Sequence, residues 1–289
     1  MGTLASPFFW KEAANSVGAM RTEGSLRYIL LDKTYKMAPI VRNKRTTFTD
    51  FLATDAAAVG CEVIINGNFY DLSSKLLTHL IAEIGIPDDP ADTKIEGRIV
   101  QGGKTIAGDS RPKSFWFAQL SAPTADVWPW IYAAGAGDPP TKASAAIGGA
   151  GPIIIKGLPY GVDNKYRPDT PSAIRRHIVD EPPPSALHHL IQRNNNMFKS
   201  LDGKPPETGK SILAYSSTKR MLMVAVQQHG MKPGQTLTYL ASLLAHRGFD
   251  FAVFMDGSDS ATLVLHGKII VAPSRYKNGE IDVGIGFYR

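Results

Sequence analysis

The sequence contains almost no cysteine and lacks long apolar or basic runs, and each absence excludes a class of protein. Cys61 is the only cysteine in the 289 residues, so no intrachain disulfide can form. No apolar run reaches the length of about 18 residues that a membrane-spanning helix needs, so we expect no membrane span. Lys and Arg number 32 against 26 Asp and Glu, yet the basic residues are scattered. This charge favours anionic partners but argues against a nucleic-acid partner, since no basic tail is present.

The amino terminus and the single cysteine give little functional information. The amino terminus lacks the basic segment and apolar stretch of a secretory leader, which leaves a cytoplasmic protein and an exported one with its leader removed both open. The oligomeric state is equally open. Cys61 precedes the apolar run Val63, Ile64, Ile65, and this position favours a small buried hydrophobe over a catalytic nucleophile.

Short apolar runs separated by glycine-containing turns predict many strands, and amphipathic segments predict helices. Helices are expected at Thr49–Val59, capped by Thr49 or Asp50, at Leu76–Ile86 and at Thr236–Arg247. The pattern predicts an α+β fold, a single domain with a mixed, largely antiparallel β-sheet core packed with helices. Residues 1–25 are expected to form an N-terminal extension and 26–289 the domain, with a proline-rich insertion or lid at about 163–209.

Two strand ends carry polar residues that point to chemistry, and a glycine loop is a third candidate feature. The strand in CEVIINGNFYD stops at Asn66-Gly67, and the apolar strand Phe251–Met255 stops at the sequence Asp-Gly-Ser-Asp-Ser, residues 256–260. A turn with two carboxylates and two hydroxyls can hold a metal, bind a phosphate through backbone N–H groups, or act as acid and base. Asp-Gly is also a common hairpin turn without any function. A third feature, a tight glycine loop, is expected at Gly148–Gly151, before the run Ile153–Ile155.

Four sequence blocks, in this order, resemble the phosphodiester glycosidase family. They are VIINGNFYD, GGAGPIII, GKSILAYSSTKRMLMVAV and GQTLTYLASLLAHRGFDFAVFMDGSDSATLVLHGK. The resemblance runs from about residue 26 to the carboxyl end, and the stretch at about 163–209 is an insertion within it. It implies a hydrolase that cleaves a sugar from a phosphodiester-linked conjugate, such as a sugar phosphate or a nucleotide-like substrate.

The chain departs from the family's pattern at two places. The family's Asp-Gly-Gly-Gly-Ser turn is Asp-Gly-Ser-Asp-Ser here, so Ser258 and Asp259 replace glycines and add a carboxylate. The family's Arg-Thr is Lys210-Ser211 here, which keeps a cation but loses the bidentate fork that suits phosphate. A second interpretation therefore stays open, namely a non-catalytic module on the same fold that binds a glycan or a phosphate.

The resemblance implies hydrolysis at the anomeric carbon through an oxocarbenium-like transition state. Asp256 is expected to stabilise the charge or act as base, and Lys210 with the glycine loop is expected to bind the phosphate. A small-molecule or glycan substrate carrying phosphate is the expected partner, and a divalent cation stays open as a cofactor. Asp71 is explained equally well as a turn cap. The expected catalytic residues are Asp256, Asn66, Asp71 and Lys210, and the expected substrate-binding residues are Asn68, Gly67, Gly149, Gly151, Gly257, Ser258, Asp259 and Ser260.

Overall fold

Strands dominate the computed structural model, which describes residues 9–10, 15–42, 46–67, 70–71, 94–95, 97–110, 115–121, 130–159, 206–278 and 281–289. The strands are β1 Met20–Glu23, β2 Leu26–Leu31, β3 Lys36–Val41, β4 Val63–Asn66, β5 Tyr70–Asp71, β6 Lys94–Ile95, β7 Ile99–Gln101, β8 Lys104–Ala107, β9 Phe115–Ser121, β10 Trp130–Ala136, β11 Ala143–Ile155, β12 Leu158–Pro159, β13 Lys210–Ser216, β14 Met221–Gln227, β15 Phe251–Phe254, β16 Leu263–Leu265, β17 Lys268–Val271 and β18 Val283–Tyr288. The helices are α1 Phe48–Thr54, α2 Ala56–Val59, α3 Leu237–His246 and α4 Arg275–Asn278, and Ser258–Ser260 forms a 3₁₀ turn.

The strands form two main sheets. The larger has the order β1-β2-β14-β13-β15-β11-β7-β8, with β12 and β9 also paired to β11 and β10 paired to β9. The smaller has the order β17-β16-β4-β18-β3, and β5 pairs with β6 apart from both. Every pairing within the described residues is antiparallel. The structure confirms the predicted α+β fold with a largely antiparallel core.

The main hydrophobic core is shared by the two sheets. Strands β13 and β14 are buried along their whole length, because neighbours cover both of their faces. Val63 and Ile65 of β4 belong to the same core cluster as Phe254 of β15, which shows that the smaller sheet packs on the larger one. Helices α1 and α2 cover the other face of the smaller sheet, where Phe48 and Phe51 form a second cluster.

The helix predicted over Thr49–Val59 is two helices, so its bounds and its cap were wrong. Thr47, not Thr49 or Asp50, is the N-cap, because its hydroxyl oxygen accepts a hydrogen bond from the backbone N–H of Asp50 at 3.2 Å. Asp55 adopts an extended backbone conformation and ends α1, and α2 begins at the next residue. The second predicted helix is confirmed as α3, with Thr236 as its N-cap.

The tight loop predicted at Gly148–Gly151 was also wrong, because β11 continues through it. The strand runs for 13 residues, and a bulge between Ile147 and Ala150 absorbs the glycines. Gly149 has a φ of +74°, and the backbone of Gly97 lies so close to it that a Cβ added to Gly97 would lie 2.2 Å from the backbone nitrogen of Gly149. Glycine is required here by close backbone packing within the sheet.

The predicted domain bounds stay a prediction. Within residues 1–25, β1 pairs with β2, and Trp10 Nε1 donates a hydrogen bond to the carbonyl oxygen of Arg247 at 2.7 Å. Most of the predicted insertion, residues 160–205, lies outside the described residues, as does the helix predicted at Leu76–Ile86. Among the described residues, no helix has the length and apolar character needed to cross a membrane.

Cys61 is a buried packing residue, as the sequence predicted. Its side chain packs against Gly286, where a Cβ would lie 2.3 Å from the Cys61 sulfur. Burial raises the pKa of the Cys61 thiol from 9.0 to about 11.

We expect the Cys61 thiol to react slowly with an iodoacetamide-type reagent at pH 8 in the folded protein, because it is both shielded and protonated. In denaturant, where burial is lost, labelling should proceed at the rate of a free thiol. Mass spectrometry over time measures both rates. Rapid labelling of the folded protein would contradict the assignment of Cys61 to the core.

Candidate active site

The candidate site lies where strands of the two sheets end side by side. In the larger sheet, β15 lies between β13 and β11, and Phe254 is paired with Ile212 on one side and Gly151 on the other. Asp256 follows two residues later. In the smaller sheet, β4 ends at Asn66, and the backbone N–H of Asp256 donates to the carbonyl oxygen of Gly67 at 3.1 Å. The structure therefore brings Asp256, Asn66 and Gly67 together, and the roles predicted for them in the site stay predictions.

Asn66 is the centre of a buried hydrogen-bond network. Its side chain is 0% exposed, its Oδ1 accepts from the hydroxyl of Ser211 at 2.6 Å and from the N–H of Thr262 at 3.0 Å, and its Nδ2 donates to the carbonyl oxygen of Asp256 at 2.8 Å. These bonds join β4, β13 and both sides of the Asp256 turn. The arrangement favours a positioning role for Asn66 over the direct catalytic role expected from the sequence.

Asp256 presents a partly exposed carboxylate on a rigid backbone. Gly67 and Asn66 hold its N–H and its carbonyl oxygen, and its Oδ1 accepts a hydrogen bond from the N–H of Gly257 at 2.9 Å. A fixed carboxylate of this kind can stabilise a positive charge or accept a proton from water.

The interpretation of residues 256–260 as a plain hairpin turn is wrong. The strand before the turn, β15, belongs to the larger sheet, whereas β16 after it belongs to the smaller one and pairs with β4 and β17. The turn therefore carries the chain from one sheet to the other. Ser258 has a φ of +56°, a left-handed conformation that is uncommon for a residue other than glycine and that clusters at functional sites.

The hydrogen bonds of this turn indicate what it can bind. The N–H of Gly257 donates to its neighbour's carboxylate, the N–H of Ser258 to the carbonyl oxygen of Gly209, and the N–H of Ser260 to the carbonyl oxygen of Gly257. Because these three donors are already engaged, the turn presents a carboxylate more readily than it cradles an anion. Ser260 is also buried, at 1% exposure.

Asp259, the carboxylate that replaces a family glycine, makes a structural contact. Its Oδ2 accepts from the hydroxyl of Ser274 at 3.3 Å, and its carbonyl oxygen accepts from the N–H of Ser274 at 2.8 Å. These bonds fasten the turn to the segment that leads into α4. Asp259 is partly exposed, so its predicted contact with substrate stays a prediction.

Lys210 points away from the Asn66 network. Side chains alternate along a strand, and Ser211 is the one that faces Asn66. Lys210 is 1% exposed, and its Nζ donates to the carbonyl oxygens of Thr208 at 2.7 Å and Pro206 at 3.1 Å. The structure therefore does not place the Lys210 side chain beside Asn66.

The predicted glycines have packing roles. A Cβ on Gly151 would lie 2.1 Å from Cε1 of Phe254, and one on Gly67 would lie 2.9 Å from Cδ1 of Ile147. Both glycines allow β11 to pack against its neighbours. The expected phosphate contacts of Gly149 and Gly151 stay predictions.

Two predicted residues and the metal are less defined. Asn68 lies outside the residues that the structure describes. Asp71 lies in β5, where its backbone pairs with Lys94, and only its backbone is described. In the part of the chain that the structure describes, no three His, Cys, Asp or Glu side chains are grouped so as to hold a metal ion. A divalent cation stays an open prediction that a chelator in an activity assay tests.

Ser211, Thr262 and Ser274 were missed by sequence reasoning as members of the site. Each contacts a predicted residue through hydrogen bonds between segments far apart in the chain. Only Ser211 had a usable signal, since it follows Lys210 on a strand and must point to the opposite face.

Gly209 packs against the turn so tightly that a methyl group cannot fit. A Cβ there would lie 1.9 Å from the carbonyl oxygen of Ser258, which is backbone and cannot swing away. We expect Gly209→Ala to destabilise the protein by about 2–3 kcal/mol. Gly157→Ala is the control, because its added methyl meets no atom within 4 Å and costs only the strain of its φ of +79°, about 1 kcal/mol. Denaturant unfolding compares them, and equal losses would contradict the packing.

The fold and the site define an α+β protein with a carboxylate-bearing turn where the chain crosses between two antiparallel sheets. The model of the phosphodiester glycosidase family matches residues 59–288, which contain all the strand ends of the site. The chain belongs to the phosphodiester glycosidase family. Among curated protein sequences, none matches it significantly.

Solved structures with a similar fold include the following two. The catalytic domain of zebrafish N-acetylglucosamine-1-phosphodiester α-N-acetylglucosaminidase, auto-inhibited by its pro-peptide, aligns with a TM-score of 0.52 and 14% identity over 94% of this chain and 81% of that one. A putative exported protein from Burkholderia pseudomallei aligns with a TM-score of 0.56 and 11% identity over 91% of this chain and 74% of that one. At these identities the likeness shows the fold alone.

Proposed function

We propose that the protein is a glycosidase that hydrolyses the bond between a sugar and the phosphate of a phosphodiester-linked conjugate. The observation that carries the proposal is Asp256, a partly exposed residue two positions after β15 whose backbone N–H and carbonyl oxygen are held by Gly67 and Asn66. Family membership supports it, since the phosphodiester glycosidase model covers the whole of this region.

The proposed reaction breaks the bond between the anomeric carbon and the phosphate oxygen. As this bond lengthens, the sugar acquires positive charge, and a nearby carboxylate stabilises it. Asp256 supplies that carboxylate and can also accept a proton from the attacking water. The leaving group is a phosphomonoester, which departs as a weakly basic anion, so protonation of the leaving group contributes less than in ordinary glycosides.

The surrounding residues make the turn that carries the carboxylate rigid. Asn66, Ser211 and Thr262 hold the two sides of the turn in a fixed relation, so Asp256 need not reorganise during the reaction. The formal net charge of +6 favours a negatively charged substrate.

The test is an assay of the protein on a panel of sugar phosphodiesters and sugar nucleotides. N-acetylglucosamine phosphodiesters come first, because the name of the zebrafish relative identifies that linkage. Release of free sugar and a phosphomonoester is the expected result, measured with and without chelator. Binding of a panel member without turnover would favour the non-catalytic glycan- or phosphate-binding module and would contradict the proposal.

A further inference from the structure

A buried polar cluster fixes the chain just before the candidate site. Lys210 Nζ donates to the carbonyl oxygens of Thr208 and Pro206, and Gln227 Nε2 donates to the same two oxygens at 2.7 Å each. Lys210 and Gln227 are paired across β13 and β14, and they are 1% and 0% exposed. Two buried side chains therefore converge on residues 206–208.

Gln227 is itself held by two further donors. Its Oε1 accepts from the hydroxyl of Ser25 at 2.7 Å and from the N–H of Gln235 at 2.9 Å. Buried polar groups are costly unless they are hydrogen-bonded, and satisfied networks of this kind make the structure around them rigid. The cluster thus gives residues 206–208 a fixed position.

The segment fixed in this way touches the Asp256 turn directly. The carbonyl oxygen of Gly209 accepts from the N–H of Ser258 at 2.8 Å, and the close approach of the two residues leaves no room for a Cβ on Gly209. Two residues further along, Ser211 donates to Asn66. A displacement of residues 206–209 would therefore displace Ser258 and the turn that carries Asp256.

We propose that Lys210 is a positioning residue, which holds the Asp256 turn through residues 206–209, and is not the cation that contacts the substrate's phosphate. The inference rests on the proposed function only in making that turn the active site. The direction of the Lys210 side chain supports it, because Lys210 points to the face opposite to Ser211 and donates to backbone carbonyls there.

The test compares Lys210→Met and Gln227→Met with Lys219→Met, which changes an exposed lysine at the far end of the same hairpin. Hydrogen exchange with single-residue resolution follows the Ser258 N–H. We expect the Ser258 N–H to exchange at least about fivefold faster in Lys210→Met and Gln227→Met, because each variant loses hydrogen bonds that fix residues 206–209, which include the acceptor of this N–H. In Lys219→Met it should exchange at the parent rate.

Titration with inorganic phosphate separates the two roles of Lys210. A positioning role predicts that Lys210→Met and Gln227→Met change phosphate affinity by similar factors, since both act through the same carbonyls. A loss of affinity confined to Lys210→Met, with unchanged Ser258 exchange, would overturn the proposal. If Lys210→Met does not fold, Gln227→Met decides, and parent-like exchange at Ser258 in that variant refutes the anchoring. Failure of the parent to bind phosphate or turn over substrate would count against the proposed function. The exchange rate of the Ser258 N–H would still show whether Lys210 positions the turn.

Discussion

Asp256→Asn should reduce sugar release from a phosphodiester substrate by roughly a hundredfold to ten-thousandfold, the range that a positioned acid–base group contributes. The variant removes the negative charge that would stabilise the developing oxocarbenium ion. It keeps an oxygen that can accept from the N–H of Gly257, and the bonds to Gly67 and Asn66 use only the backbone of Asp256. The fold should therefore be preserved, and the loss should appear mainly in kcat.

Asp250→Asn is the matched control for this experiment. Asp250 precedes the opposite end of β15, where its carboxylate accepts from the N–H and the hydroxyl of Ser217. It changes one carboxylate at the same strand without touching the candidate site, so its kcat should equal that of the parent. Equal activities of Asp256→Asn and the parent would remove Asp256 from the mechanism.

Asn66→Leu should give the largest loss of stability, about 3–5 kcal/mol. It removes the partners of Ser211, Thr262 and the carbonyl oxygen of Asp256, and it leaves all three polar groups in a site where Asn66 itself is 0% exposed. Urea unfolding followed by circular dichroism measures the change. We also expect any remaining folded protein to have lost most of its activity, because the Asp256 turn loses its anchor.

Asn278→Leu is the comparison for Asn66→Leu. Asn278 makes two side-chain hydrogen bonds where Asn66 makes three; both are to Thr49, at a partly exposed position in α4, and neither involves a residue of the Asp256 turn. It should cost about 1 kcal/mol and leave activity unchanged, since water can reach the groups it abandons. A similar loss in both variants would mean that the buried network around Asn66 has no special importance.

The sequence predicted the strands well where they were apolar and bounded by glycine turns. The hairpin of β13 and β14, the helix α3 and the strand before Asp256 all follow from local patterns, because burial and capping act on neighbouring residues. The prediction failed at β11, where glycines indicate a loop by their local preference. There, pairing with strands on both sides keeps the chain extended, and the glycines serve close packing against Gly97 and Phe254.

The candidate site was predictable in composition but not in arrangement. Polar residues after a buried strand emerge at the edge of a sheet, so the strand ends indicated Asp256 and Asn66, and the structure brings these two residues together. The direction of Lys210 was not recognised, because the phosphate role came from a family pattern and not from the alternation of β13. The partners of Asn66 depend on how two sheets pack on each other, which no local pattern reports.

The central claim is that the protein cleaves the bond between the anomeric carbon and the bridging phosphate oxygen, and not the bond between that oxygen and phosphorus. Hydrolysis in ¹⁸O-labelled water tests this claim most directly. Mass spectrometry of the phosphomonoester product gives the answer, since the anomeric oxygen of a free sugar exchanges with water and the phosphate oxygens do not. We predict an unlabelled phosphomonoester, because water attacks the sugar carbon. A phosphomonoester carrying ¹⁸O would mean attack at phosphorus and would contradict a glycosidase.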